Sequence, residues 1–77
     1  MGTNLGNISP REAIRGFQRA GWVFRRQTGS HYIMSKPGVF GLVVIPIHEG
    51  PLKRGTLRAC LRIAGVSPEE FAELLES

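Results

Sequence analysis

Two periodicities alternate along this chain. Ala13, Ile14, Phe17 and Ala20 recur at helical spacing. Ahead of them, Ser9-Pro10-Arg11-Glu12 supplies a serine cap, a proline at the first helical position and a glutamate three residues beyond the cap, the arrangement of a capping box. With Gly21 as terminator, the pattern predicts a helix over residues 10–20. Trp22 to Arg26 is aromatic and β-branched, as strands tend to be; Gln27-Thr28-Gly29 reads as a turn, and Ser30 to Lys36 as the second strand of a hairpin. Pro37-Gly38 signals the next turn, and Leu42 to Ile45 is an apolar run of strand length closed by Pro46. Beyond a loop, Leu57, Cys60, Leu61 and Ala64 return to helical spacing, and Gly65 ends that second helix. Ser67-Pro68-Glu69-Glu70 repeats the capping box and opens a short C-terminal helix whose Phe71, Leu74 and Leu75 can pack.

The element order is therefore α-β-β-β-α with a terminal helix, an α+β chain built on three antiparallel strands. Parity on the second strand sets His31, Ile33 and Ser35 against Tyr32 and Met34. Each set holds an apolar residue, so the buried face stays open at this point. Residues 1–8, rich in Gly and Asn, are expected to form a flexible tail, and residues 9–77 a single domain. A chain of 77 residues buries only about 60% of the surface that it exposes when unfolded, which leaves no room for a second core.

The lone cysteine, Cys60, has no partner for an internal disulfide and falls on the apolar side of the second helix, which suits a reducing compartment such as the cytoplasm. No membrane association is expected. The longest apolar stretch, residues 39–46, is broken by Gly41 and is far short of the roughly 20 residues that a bilayer requires. The first residues also lack the basic and apolar regions of a secretion signal.

Charge changes the picture once it is divided. Residues 1–66 carry all ten Lys and Arg against two acids, Glu12 and Glu49, a formal +8; residues 67–77 carry four glutamates and −4, which leaves the net +4. Eight of the ten cations are Arg, whose planar fork grips phosphate and stacks on bases, so the balance favours nucleic acid as a partner over mere solubility. Arg11, Arg15 and Arg19 repeat every fourth residue on the first helix, and Arg54, Arg58 and Arg62, beside Lys53, do so on the second. Each stripe is either a solvated face or an RNA contact.

Cleaving RNA without a metal needs a base for the 2′-hydroxyl, an acid for the leaving 5′-oxygen and cations for the charged phosphorane. His31, after Gly29-Ser30 at a strand start, is one candidate, because an imidazole carries a proton in either direction near neutral pH. A structural, hydrogen-bonded histidine is the other reading of it. His48, in Pro46-Ile47-His48-Glu49, is either a second proton carrier or a loop residue bonded to a carbonyl. The two histidines and Cys60 match no zinc spacing. No Walker loop or dinucleotide fingerprint is present, and Ser30 beside His31 in a strand would point to the opposite face, which excludes a nucleophile and base pair. No metal or cofactor is expected.

In order along the chain stand Gly21-Trp22, Arg26, Gly29-Ser30-His31, Ile45-Pro46-Ile47-His48, Gly55-Thr56-Leu57 and Ala64-Gly65. This set, spread over residues 9 to 66, resembles the HicA family of toxins from bacterial and archaeal toxin–antitoxin systems. Trp22 stands where the family often has Phe. The resemblance implies a fold similar to double-stranded RNA-binding domains, with both helices on one side of the sheet, and an mRNA-cleaving activity centred on His31. It also implies a partner, the antitoxin HicB, that binds the toxin and masks this histidine. Arg25, Arg26 and Ser30 near His31, and Lys53, Arg54, Arg58 and Arg62 on the second helix, are the residues expected on RNA, with His48 as the possible second catalytic group. The rival expectation is an RNA-binding module of the same fold without catalysis; a third is an inactive member kept for partner binding.

Overall fold

The computed structural model describes residues 5–76. Helix α1 spans Pro10–Arg19, strands β1, β2 and β3 span Val23–Thr28, His31–Ser35 and Val43–Pro46, and helices α2 and α3 span Arg54–Ala64 and Pro68–Glu76. Both expected capping boxes form. Glu12 N–H donates to Ser9 Oγ at 3.1 Å while Ser9 N–H donates to Glu12 Oε1 at 3.0 Å, and Ser67 and Glu70 repeat the exchange at 3.1 and 3.2 Å. These bonds satisfy amide hydrogens that a helix start otherwise leaves without partners. The backbone N–H of Ser9, and then its hydroxyl, hold the Glu12 carboxyl below the usual carboxylate range. A group with a lowered folded pKa stabilises the fold above its unfolded pKa, and that contribution disappears as pH falls through the folded value. Ser9→Ala should therefore lower stability by about 1 kcal/mol near neutral pH and shrink the loss seen on acidification, both read from urea unfolding at several pH values.

The three strands form one antiparallel sheet in the order β1-β2-β3. Met34, Val43 and Ile45 are fully buried in one cluster with Ala13 and Phe17 of α1, Leu57 and Leu61 of α2, and Phe71 of α3. That settles the face left open by parity: Tyr32 and Met34 look toward the helices, and His31, Ile33 and Ser35 lie on the side without them. Ile33 is nonetheless only 8% exposed, between its ladder neighbours Arg26 and Val44. Trp22 is 1% exposed, and its Nε1–H is buried with no acceptor among the described residues. An unpaired donor costs about 1–3 kcal/mol, which the burial of an indole, roughly 4–6 kcal/mol by area, outweighs.

Several details differ from the sequence reading. β1 runs on through Gln27 and Thr28, so the hairpin turn is Gly29-Ser30 rather than Gln27-Thr28-Gly29; Gly29 takes φ +58, the glycine-first form that suits a two-residue hairpin loop. Residue Arg25 is an extra residue in β1: Phe24 pairs with Met34 and Arg26 with Ile33, leaving Arg25 as a bulge. Ile8, placed in the expected flexible tail, is buried in the core, and its carbonyl accepts from Leu52 N–H at 2.7 Å. Residues 1–4 of that stretch lie outside the described residues.

Candidate functional site

His31 occupies the first position of β2, directly opposite Thr28 on β1 and Pro46 on β3. Residues opposite one another in an antiparallel ladder share a face, so all three stand on the side of the sheet without helices. The imidazole is exposed. Gly29 has no heavy atom within 4 Å of where a Cβ would sit, so the turn before the histidine leaves space for a ligand backbone. Ser30, exposed in the same turn, is tied down through its carbonyl, which accepts from Ile47 N–H at 2.6 Å. This bond carries the ladder one step past β3 and brings the Ile45-Pro46-Ile47-His48 segment to the end of the sheet where His31 begins.

The His48 imidazole is exposed, with Nδ1 at 2.9 Å from the Glu49 carbonyl. A carbonyl can only accept, so in the neutral ring this contact places the proton on Nδ1 and leaves Nε2 as an acceptor. The loop reading foresaw the carbonyl contact, and nothing in that contact occupies Nε2.

The expected RNA-contacting cations are gathered in two places. Arg26 shares the face of His31 through its pairing with Ile33; Arg25 is exposed at the bulge. The bulge decides this arrangement. In an unbroken strand Phe24 and Arg26 would share a face. With one residue inserted, Phe24 turns toward the helix side, its ring 4.9 Å from that of Tyr32, and Arg26 turns toward His31's side. Lys53 caps α2 without a side-chain bond, and Arg54, Arg58 and Arg62 are exposed along that helix. Arg58 and Arg62 line a groove of about 530 Å³ with Val66 and Pro68.

The α1 stripe is divided. Arg11 and Arg15 are exposed, but the Arg19 guanidinium donates to the Leu74 and Leu75 carbonyls at 2.6 and 3.4 Å and so caps the C-terminal end of α3. Cys60 is buried and donates to the Val44 carbonyl; loss of solvent pushes its thiol pKa up, and the group is unsuited to act as a nucleophile. Among the described residues no three His, Cys, Asp or Glu side chains gather where they could hold a metal ion, and no helix is long and apolar enough to cross a membrane.

The sequence reading named the histidines and arginines as candidates but did not name Thr28 and Pro46 as the flanks of His31. Hairpin register was the signal that would have located them, and it depended on starting the turn two residues later, at Gly29.

The architecture is that of a small α+β protein whose three-stranded sheet is covered by helices on one face and presents an exposed histidine on the other. Residues 10–66 match the family model of the HicA toxin of bacterial toxin–antitoxin systems, from the start of α1 to just past α2. The chain belongs to that toxin family. No curated protein matches it.

Proposed function

We propose that this toxin is a metal-independent endoribonuclease that cleaves mRNA in the cytoplasm and is silenced by a HicB-like antitoxin covering His31. The observation that carries the reading is the position of His31: exposed, at the head of a strand, on the open sheet face that also holds Arg26. In the proposed reaction the 2′-oxygen attacks the adjacent phosphorus, the bond to the 5′-oxygen breaks, and one proton leaves the 2′-hydroxyl while another reaches the leaving oxygen. His31 carries one of these protons and His48, through Nε2, the other. Arg26 offsets the charge that builds on the phosphorane. The products are a 2′,3′-cyclic phosphate and a 5′-hydroxyl.

The test is induction of the wild-type chain and of His31→Ala in a host without the antitoxin, followed by growth and mRNA integrity. Arrested growth with fragmented mRNA, both abolished in the variant, is the expected result. Intact mRNA under arrest would overturn the nuclease reading, and equal effects from both proteins would remove His31 from it.

Salt dependence separates the two arginine stripes. Replacing any one of Arg54, Arg58 and Arg62 with Gln should lower the slope of log affinity against log salt by about 0.7, the value for one lost phosphate contact on a single strand. Arg19→Gln should leave that slope nearly unchanged, because its guanidinium is already committed to α3. An unaltered slope for all three α2 variants would return that stripe to a solvated face.

A further inference from the structure

Of the seven large hydrophobic side chains exposed among the described residues, Leu42, Val44 and Ile63 line one groove, and Val39 and Phe40 stand in the segment that leads into it. Phe40, in the segment joining β2 to β3, is 102% exposed, so its ring touches almost nothing. Beside it a shallow groove of about 440 Å³ runs between β3 and α2, with Leu42 and Val44 on one wall and Ala59 and Ile63 on the other. The segment is held close to the helix: Gly41 has φ +95, and a Cβ there would come within 3.3 Å of Ile63 Cγ2. Leaving a side chain of this size uncovered forgoes about 1.5–3 kcal/mol, and apolar patches of this kind mark interaction surfaces.

Four of the five side chains, Val39, Leu42, Val44 and Ile63, are aliphatic and neither neutralise phosphate nor stack on bases; Phe40 alone could stack on a base, so the make-up of the patch favours a protein over RNA. Strand addition is also blocked there. On the outer edge of β3 the Val44 carbonyl already accepts from the Cys60 thiol at 3.4 Å, and Pro46 brings no N–H. A second copy in two-fold contact would set one α2 arginine stripe against another. Gly55 and Ala59 border both this groove and the neighbouring one that holds Arg58 and Arg62, so the cations flank the apolar wall along its length. The surface fits a protein that seats apolar side chains between β3 and α2 and sets carboxylates against Arg54, Arg58 and Arg62.

We propose that this groove, with Phe40 at its rim, is where the neutralising protein partner docks, by apolar anchors flanked with acidic residues; the inference rests on the reading that a protein antitoxin silences this chain. Its position explains how docking would reach the site. Val44 and Pro46 alternate onto the open face of β3, with Leu42 just before the strand, and Pro46 stands opposite His31, about 7 Å along the strand from Val44. A partner seated in the groove that continues along β3 from Val44 to Pro46 would reach the histidine without any bond to the imidazole itself.

The experiment uses Phe40→Asp and Ile63→Glu in the full chain, and as probe the purified protein encoded immediately beside this gene. RNA cleavage is measured alone and under titration with that protein, binding by calorimetry, and amide exchange on the complex. Both variants should cleave RNA as the wild type does yet bind the partner at least tenfold more weakly, and in the wild-type complex exchange should slow over residues 39–44 and 59–63. If the wild type is neutralised and both variants are neutralised at the same ratio, the docking proposal is overturned while the antitoxin reading stands. A wild type that cleaves RNA but neither binds nor is restrained by the neighbouring protein would sink the antitoxin reading, and the proposal with it. Variants that lose RNA affinity but keep the partner would assign the patch to RNA, and a wild-type dimer that Phe40→Asp dissolves without changing neutralisation would assign it to a second copy; either result overturns the proposal.

Discussion

His31→Ala is expected to lower RNA cleavage by on the order of 10²- to 10⁴-fold, the range for loss of a positioned general acid or base, while the midpoint of urea unfolding stays where it was. The two halves of this expectation come from one fact. An exposed side chain at the end of a strand, flanked by Thr28 and Pro46, contributes little to a core built from Phe17, Trp22, Met34, Ile45 and Phe71. Truncating it removes the proton carrier of the proposed reaction and leaves no cavity. His31→Gln separates chemistry from hydrogen bonding, because an amide can replace a bond but cannot carry a proton through the pH range of the reaction. Wild-type cleavage by His31→Gln, or unfolding of His31→Ala, would remove the catalytic assignment and favour an RNA-binding module. Product ends give a further check: a 5′-phosphate in place of a 5′-hydroxyl would exclude attack by the 2′-oxygen.

The largest expected effect on stability lies at Phe71, outside the segment that matches the family model. Its ring is fully buried, 4.7 Å from that of Phe17, and it closes over Gly16 of α1. Phe71→Ala should cost about 3–5 kcal/mol, out of a total on the order of 4–12 kcal/mol for a chain of this length; a lowered urea midpoint or outright unfolding is the outcome to expect. Gly16 supplies the reciprocal test. In an open helix Gly→Ala gains up to about 1 kcal/mol, but a Cβ here would sit 2.6 Å from Phe71 Cζ, in a ring with no room to swing aside. Overpacking of about 1–3 kcal/mol should win, so Gly16→Ala should destabilise, and pairing it with Phe71→Leu should recover part of the loss. If α3 could be removed or its phenylalanine truncated without effect, the helix would be an appendage rather than a part of the core.

Much of this fold was legible because its helix starts carry local chemistry. A serine cap with a glutamate three residues on is readable in the sequence, and both boxes formed where they were expected. The order of elements followed from changes in hydrophobic period, and His31 from its place after Gly29-Ser30. What stayed hidden depends on pairing across the chain. The bulge at Arg25 decides which cation shares the face of His31, yet no residue in Phe24-Arg25-Arg26 announces an extra position in the ladder. Neither could parity choose the buried face of β2, since Ile33 and Met34 are both apolar and both end up buried. Ile8 was read with a Gly- and Asn-rich tail because an isolated apolar residue has no period; its burial depends on Leu52, far along the chain. Arg19 looked like the last member of an exposed stripe, and only the docking of α3 against α1 commits it to the Leu74 and Leu75 carbonyls.

That same docking makes the molecule electrically lopsided. The four glutamates of α3 belong to a helix docked against α1 on the helix side of the sheet, while His31 and Arg26 face the other way and the α2 arginines run along a separate helix. A body with four of its six acids at one flank has a permanent dipole, and near a polyanion it experiences a torque as well as an attraction. Ionic screening confines that torque to roughly the last 8 Å of approach, where it turns α3 away and brings the basic surfaces forward. The terminal helix would in this way act on how often an encounter begins the right way round, a property of association rate rather than of the grip that follows.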